Sequence, residues 1–176
     1  MKRPKFLLST TDGNSFIEKI IHQYADFGCS NIIVMLNSEG IALIKKHTQN
    51  LPIQTQIVLN PYPDLGRFFS IKTGLKFVHN YYTFIHNVDN PFANKKVLEQ
   101  LYSAKTEAKV IKPVYNNNGG HPVLISPTVC DYILNEKKHD VNFKEILNRF
   151  STKKVEVKDE TILLNINTYD EYLEFY

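Results

Sequence analysis

The chain has 176 residues, 43% apolar and 22% charged, which fits one globular domain and excludes a disordered or fibrous chain. Its 21 Lys+Arg against 18 Asp+Glu leave +3, and the basic residues come in scattered pairs, so nothing points to nucleic acid. Apolar runs fall far short of the roughly 20 residues of a membrane span, the basic start meets polar Ser9 before a signal-peptide core can form, and Cys29 and Cys130 set no disulfide framework, so a reducing cytoplasm is expected.

Ser15-Phe-Ile-Glu18 predicts a capping box, opening a helix with Phe16, Ile17, Ile20, Ile21 and Tyr24 on one face and Gly28 at its stop. Asn31 to Asn37 encloses Ile-Ile-Val-Met-Leu, the run of a strand covered on both faces. The alternation continues with a helix over 38–48, a strand over 53–59, a helix over 70–78 and a strand over 81–88. A helix over 94–106 and a strand over 109–114 follow. Asn116 to Gly120 reads as a loop, Pro122 to Ser126 as a strand, and 128–137 and 142–150 as helices. Residues 155–157 and 162–164 read as a late strand pair, and Thr168-Tyr-Asp-Glu171 as a second capping box, opening a last helix to Tyr176. Strands alternating with helices predict one α/β domain over 1–176 with a mostly parallel sheet. In such folds ligands bind beyond the carboxyl ends of the strands, so the residues just after each strand matter most.

Several strand ends carry polar residues. After Leu59 come Asn60, Gly66 and Ser70, either a strand-to-helix loop needing a turn glycine or a backbone cradle for a phosphate. After Val88 comes Asp89-Asn-Pro91, either a turn or a carboxylate that holds Mg²⁺, an ion that takes one or two carboxylates and completes its shell with water and substrate phosphates. His121-Pro122 follows Gly119-Gly120, and its imidazole is either a solvated loop side chain or a partner for an anionic substrate. Asn165 and Asn167 precede the last helix, where capping is the local role. No histidine or cysteine spacing marks a zinc site.

The order of these motifs is more specific than any one of them. Arg3-Pro-Lys5, then the buried strand, Asn60 with Gly66 and Ser70, Asp89-x-Pro91, Gly120-His121-Pro122-Val123 and Asn165-Ile-Asn167-Thr168 resembles the molybdenum-cofactor nucleotidyltransferases, of the sugar-nucleotide type. The Gly-His-Pro-Val element is similar to the cytidylyl branch and the Asn-x-Asn-Thr element to the guanylyl branch. The resemblance implies a Rossmann-like three-layer sandwich, and transfer of CMP or GMP from CTP or GTP to a phosphorylated acceptor such as molybdopterin, with Mg²⁺ as cofactor. It implies that Lys5 meets the phosphates, that Asp89 and Asn165 lie at the metal, and that Arg3, Asn60, Gly66, Ser70, His121 and Asn167 line the nucleotide and acceptor cleft.

Two departures qualify that expectation. Family members begin with a strand and a Gly-rich loop of the form Leu-Ala-Ala-Gly-x-Ser-x-Arg-Met-Gly, and Met1 stands where that loop ends. The expected consequence is an N-terminally shortened fold with a gap in the sheet and weakened triphosphate binding, from a start inside a longer product or from a shortened relative. Asn165 and Asn167 replace the carboxylates of the cytidylyl branch, which lowers the pull on Mg²⁺. The rival expectation is a non-catalytic relative that binds a ligand or a partner protein, with an uncovered edge that dimerisation would hide.

Overall fold

A computed structural model describes residues 4–48, 51–78, 80–92 and 94–175. Ser15 caps the first helix, α1 (Phe16–Phe27): its backbone N–H donates to Glu18 Oε2 at 2.8 Å, and its Oγ accepts from the Glu18 amide at 3.4 Å. Gly28 ends that helix at φ +101°, a left-handed geometry that suits glycine. The second box forms as well: the Thr168 N–H donates to Glu171 Oε2 at 3.0 Å, opening a terminal helix over Tyr169–Phe175.

Between these ends, strands and helices alternate as expected. The strands are β1 (Ile32–Leu36), β2 (Thr55–Leu59), β3 (Thr83–Ile85), β4 (Val110–Tyr115), β5 (Asn118–Gly119), β6 (Val123–Ile125) and β7 (Thr152–Glu156). The helices after α1 are α2 (Ser38–His47), α3 (Gly66–Leu75), α4 (Lys95–Ser103), α5 (Pro127–Asn135), α6 (Phe143–Leu147) and the terminal α7. None of the described helices is long and apolar enough to cross a membrane.

Side-chain alternation makes the layers. Val110 of β4 and Val123 and Ile125 of β6 pack with α3, α5 and α6, whereas Ile111 and Leu124 pack with α4 and Ile162. Both faces of this part of the sheet are therefore covered, and each fully buried aliphatic contributes about 1.5–3 kcal/mol.

The sheet is not mostly parallel. β1 and β2 form a parallel ladder of their own, while the second sheet runs β3-β6-β4-β5 with β7 beside β4. Among the described strands β7 alone runs parallel to β4, and the β3–β6, β4–β6 and β4–β5 pairs are antiparallel. A tight hairpin is the cause. Asn116 and Asn117, read from sequence as loop, take φ +48° and +66° between the paired Tyr115 and Asn118. Two successive left-handed residues make the turn that matches strand twist, and Asn tolerates that backbone. The expected late strand pair is also corrected. Thr152–Glu156 pairs with β4, but Glu160–Leu163 is a 3₁₀ turn capped by Asp159, whose Oδ1 accepts from the Thr161 N–H at 3.0 Å. Ile162 is apolar because it is buried, not because it lies in a strand.

The two sheets meet at a seam. Ile32 N–H donates to Gln54 O at 3.0 Å and Leu36 O accepts from Asn60 N–H at 2.7 Å, so the even-numbered peptide groups of β1 serve β2. By alternation the peptide groups of Ile33 and Met35 point the other way. On the facing side, Ser126 N–H donates to Lys109 O at 2.9 Å, which fixes the phase of β6 and turns the peptide group of Phe84 away from it. All of β1 and all of β3 line one cavity of about 920 Å³ between them, walled by α1 and α3. Two open ladders thus border a single slot.

Candidate active site

The segment after β3 is fixed by its backbone. Asn90 is 1% exposed; its Nδ2 donates to Ile162 O at 3.1 Å and its Oδ1 accepts from Phe92 N–H at 3.2 Å. The Ile166 N–H donates to Asp89 O at 2.8 Å. The turn foreseen at Asp89-Asn-Pro91 is therefore present, but the Asp89 side chain does not build it. Its Oδ1 is buried with no hydrogen-bond partner among the described residues, and Asp89 lines the slot.

Lys5 lines the same slot, and its Nζ donates to Asn167 Oδ1 at 2.8 Å. Since Ile166 is tied to Asp89, the fold brings the Asn165–Asn167 segment beside Lys5 and Asp89, although 162 positions separate Lys5 from Asn167; neither asparagine lines the slot, and the Asn165 Nδ2 donates to Leu163 O at 3.4 Å. Arg3 lies outside the described residues. Ser70 lines the slot too.

The other expected residues divide. Asn60 is 5% exposed and spends its amide inside the fold, donating to Ser70 Oγ at 2.9 Å and accepting from Tyr62 N–H at 2.9 Å. It positions Ser70 and lines neither described cavity. Gly66, at φ +77°, opens α3 itself, so Ser70 sits one turn inside the helix and not at its entrance. Gly66 and His121 line a second cavity of about 560 Å³. Burial first, and then the charge of Arg67, lower the His121 pKa, so this ring is neutral at pH 7. Its Nδ1 is buried without a partner among the described residues.

Arg67 lines both cavities and stacks 5.5 Å from the Phe143 ring. An arginine after a loop glycine carries no spacing signal, so nothing in the sequence marks it. His86, read only as part of a strand, is the other omission. Its Nε2 donates to Asn90 O at 2.7 Å and its Nδ1 accepts from Tyr24 Oη at 2.8 Å, a tautomer set by the carbonyl.

Burial holds the His86 pKa at about 4, against an ordinary 6.5. Between those values the unfolded chain takes a proton that the folded chain refuses, so stability falls as pH drops through that window and the contribution levels off below it. This group alone is expected to cost about 3 kcal/mol by pH 4. Urea denaturation across pH 4–7.5 measures the slope, and an NMR titration that placed His86 near 6.5 would refute the assignment.

Residues 1–155 match the family model described as MobA-like NTP transferase domain. The chain belongs to that family. The molybdenum cofactor cytidylyltransferase of Escherichia coli (strain K12) is 25% identical over 146 residues, 82% of this chain and 73% of the relative. A probable molybdenum cofactor guanylyltransferase of Clostridium perfringens (strain ATCC 13124) is 27% identical over 169 residues, 89% of this chain and 80% of the relative. The crystal structure of Rv0371C from Mycobacterium tuberculosis H37Rv, in complex with manganese, superposes with a TM-score of 0.78 at 19% identity, covering 98% of this chain and 90% of that one, which shows a shared fold. As a MobA-like NTP transferase domain the chain has nucleotidyltransferases as its relatives.

Proposed function

We propose that this chain transfers CMP or GMP from CTP or GTP to a phosphorylated acceptor of the molybdopterin type. An acceptor phosphate oxygen forms a bond to the α-phosphorus, the bond from that phosphorus to the β-phosphate bridging oxygen breaks, and pyrophosphate leaves. The observation that supports this reading is that Lys5 and Asp89, whose buried Oδ1 has no hydrogen-bond partner among the described residues, line one slot and are both bonded to the Asn165–Asn167 segment beside it.

Mg²⁺ fits this donor set. The described residues contain no group of three His, Cys, Asp or Glu side chains able to hold a metal by themselves. Asp89 would be the protein's anionic ligand, Asn165 is the amide beside Ile166, whose N–H donates to Asp89 O, and nucleotide phosphates and water would complete such a shell. When bound, the cation neutralises charge on the leaving pyrophosphate. Lys5, fixed by Asn167, offers a second positive charge for those phosphates, and Arg67 a third on the side of His121. His121, neutral at pH 7, can exchange hydrogen bonds without adding charge.

The slot supports a second reading, a binding module. Peptide groups unpaired among the described residues on both walls suit an extended segment from another polypeptide, which would join the two sheets. One experiment separates the readings: equilibrium binding of CTP and GTP, with and without Mg²⁺, to the chain and to Asp89→Ala. The transfer reading expects Mg²⁺-dependent binding that the variant loses. A folded chain that binds neither nucleotide, and whose mass by light scattering rises with concentration, would replace it by the second.

A further inference from the structure

The 560 Å³ cavity beside the slot has an unusual charge balance. It is bordered by the start of α3, β4, the Gly119-Gly120-His121 connection, residues 139–142 and α6. Arg67, Lys112 and Lys144 line it, against the single carboxylate of Asp140. The ion pairs among the described residues are Lys19–Asp12 and Lys153–Glu107, so none of the three cations is neutralised by a carboxylate within 4.0 Å. Burial above all, with smaller contributions from Lys144 and Lys154, lowers the Lys112 pKa. Stacking on Phe143 fixes Arg67, and the His121 backbone is anchored by its N–H to Ile162 O at 2.9 Å. The volume falls within the roughly 300–1,000 Å³ range of small-molecule sites.

We propose that this cavity is an anion site that takes the phosphate-bearing end of the acceptor, held by Arg67, Lys112 and Lys144. The identity of the ligand as the acceptor rests on the transfer reading above; the anion site itself does not. Arg67 supplies the link, because it lines both this cavity and the slot that holds Asp89 and Lys5. A phosphate seated against Lys112 and Lys144 therefore lies beside the nucleotide cleft without occupying it. Arg67 offers a planar fork and the two lysines point charges, a combination suited to a phosphomonoester.

The test is calorimetric titration of the full chain with inorganic phosphate, at constant ionic strength set with chloride, and separately with Mg²⁺–CTP. The Lys112→Ala/Lys144→Ala variant is expected to bind phosphate at least tenfold more weakly while keeping nucleotide affinity within twofold. Lys112→Arg/Lys144→Arg, which keeps both charges, is expected to restore most of the phosphate affinity and so separates charge from folding. Phosphate binding unchanged in the alanine variant, no phosphate binding at all, or phosphate displaced by Mg²⁺–CTP would each overturn the site. Phosphate binding that the alanine variant loses, in a chain that binds no nucleotide, would uphold the anion site and end the transfer reading instead.

Discussion

Asp89→Asn is expected to lower Mg²⁺-dependent nucleotidyl transfer at least about a hundredfold, the scale of losing one preorganised charge at a phosphoryl centre. The substitution is nearly isosteric. It keeps the Asp89 backbone carbonyl that accepts from Ile166 N–H, and the side chain makes no hydrogen bond that the turn depends on. Folding is therefore expected to survive, with thermal melting close to wild type. What changes is charge: the slot loses its anion beside Arg67, and under the proposed transfer a divalent cation would lose the carboxylate offered to it. Initial rates against Mg²⁺ concentration report this directly. Wild-type rates in Asp89→Asn, at any Mg²⁺ level, would remove Asp89 from the mechanism.

The largest expected effect of a substitution on stability comes from one of two adjacent glycines. A Cβ on Gly120 would meet Ile162 O at 2.4 Å and Ile162 C at 2.8 Å, both backbone atoms, so the 3₁₀ turn or the hairpin must move. A Cβ on Gly119 would meet nothing within 4 Å. Gly120→Ala is expected to cost about 2–3 kcal/mol, and to lower the melting temperature by roughly 5–10 °C for a chain of this size. Gly119→Ala is expected to stay within about 0.5 kcal/mol of wild type. Thermal melts of the pair check both. Equal melting temperatures would mean that the Gly120–Ile162 approach is not close in solution. Because His121 follows directly, Gly120→Ala would also displace a wall of the cationic cavity.

The sequence made some of this legible and hid the rest for identifiable reasons. Both capping boxes were readable because their chemistry is local: Ser15 with Glu18, and Thr168 with Glu171, each need one helical turn and nothing else. The gathering of Lys5, Asp89 and Asn165–Asn167 could be expected only through the family resemblance, since distant residues meet through the fold. Strand direction was not legible. The Asn116–Asn117 turn reverses the chain within two residues, and its left-handed backbone reads as loop unless the flanking pairing is known. Ile162-Leu-Leu164 looked like a strand because burial, not sheet pairing, selects those apolar residues. The family resemblance implies that Asn60 lines the cleft, whereas its amide holds Ser70 and the following turn. Arg67 and Lys112 left no trace in spacing, because a cation acquires its role only when folding sets it near others.

The slot between β1 and β3 also says how the molecule would come apart. Ladder hydrogen bonds hold β1 to β2 and hold the second sheet together, but none joins one ladder to the other among the described residues. What crosses the seam is side-chain packing, in the cluster where Ile20, Ile21 and Tyr24 of α1 meet Ile32 and Val34 of β1, with Leu98 of α4 and Phe84 of β3 against them. Packing without backbone pairing yields more readily to local opening than a continuous ladder does, so the β1–β2 pair with α2 is expected to open as a unit of its own. The peptide groups of Ile33, Met35 and Phe84 lie along that plane of weakness. Their amide protons would exchange with solvent ahead of those inside either ladder, and whatever fills the slot would close the fracture by slowing them.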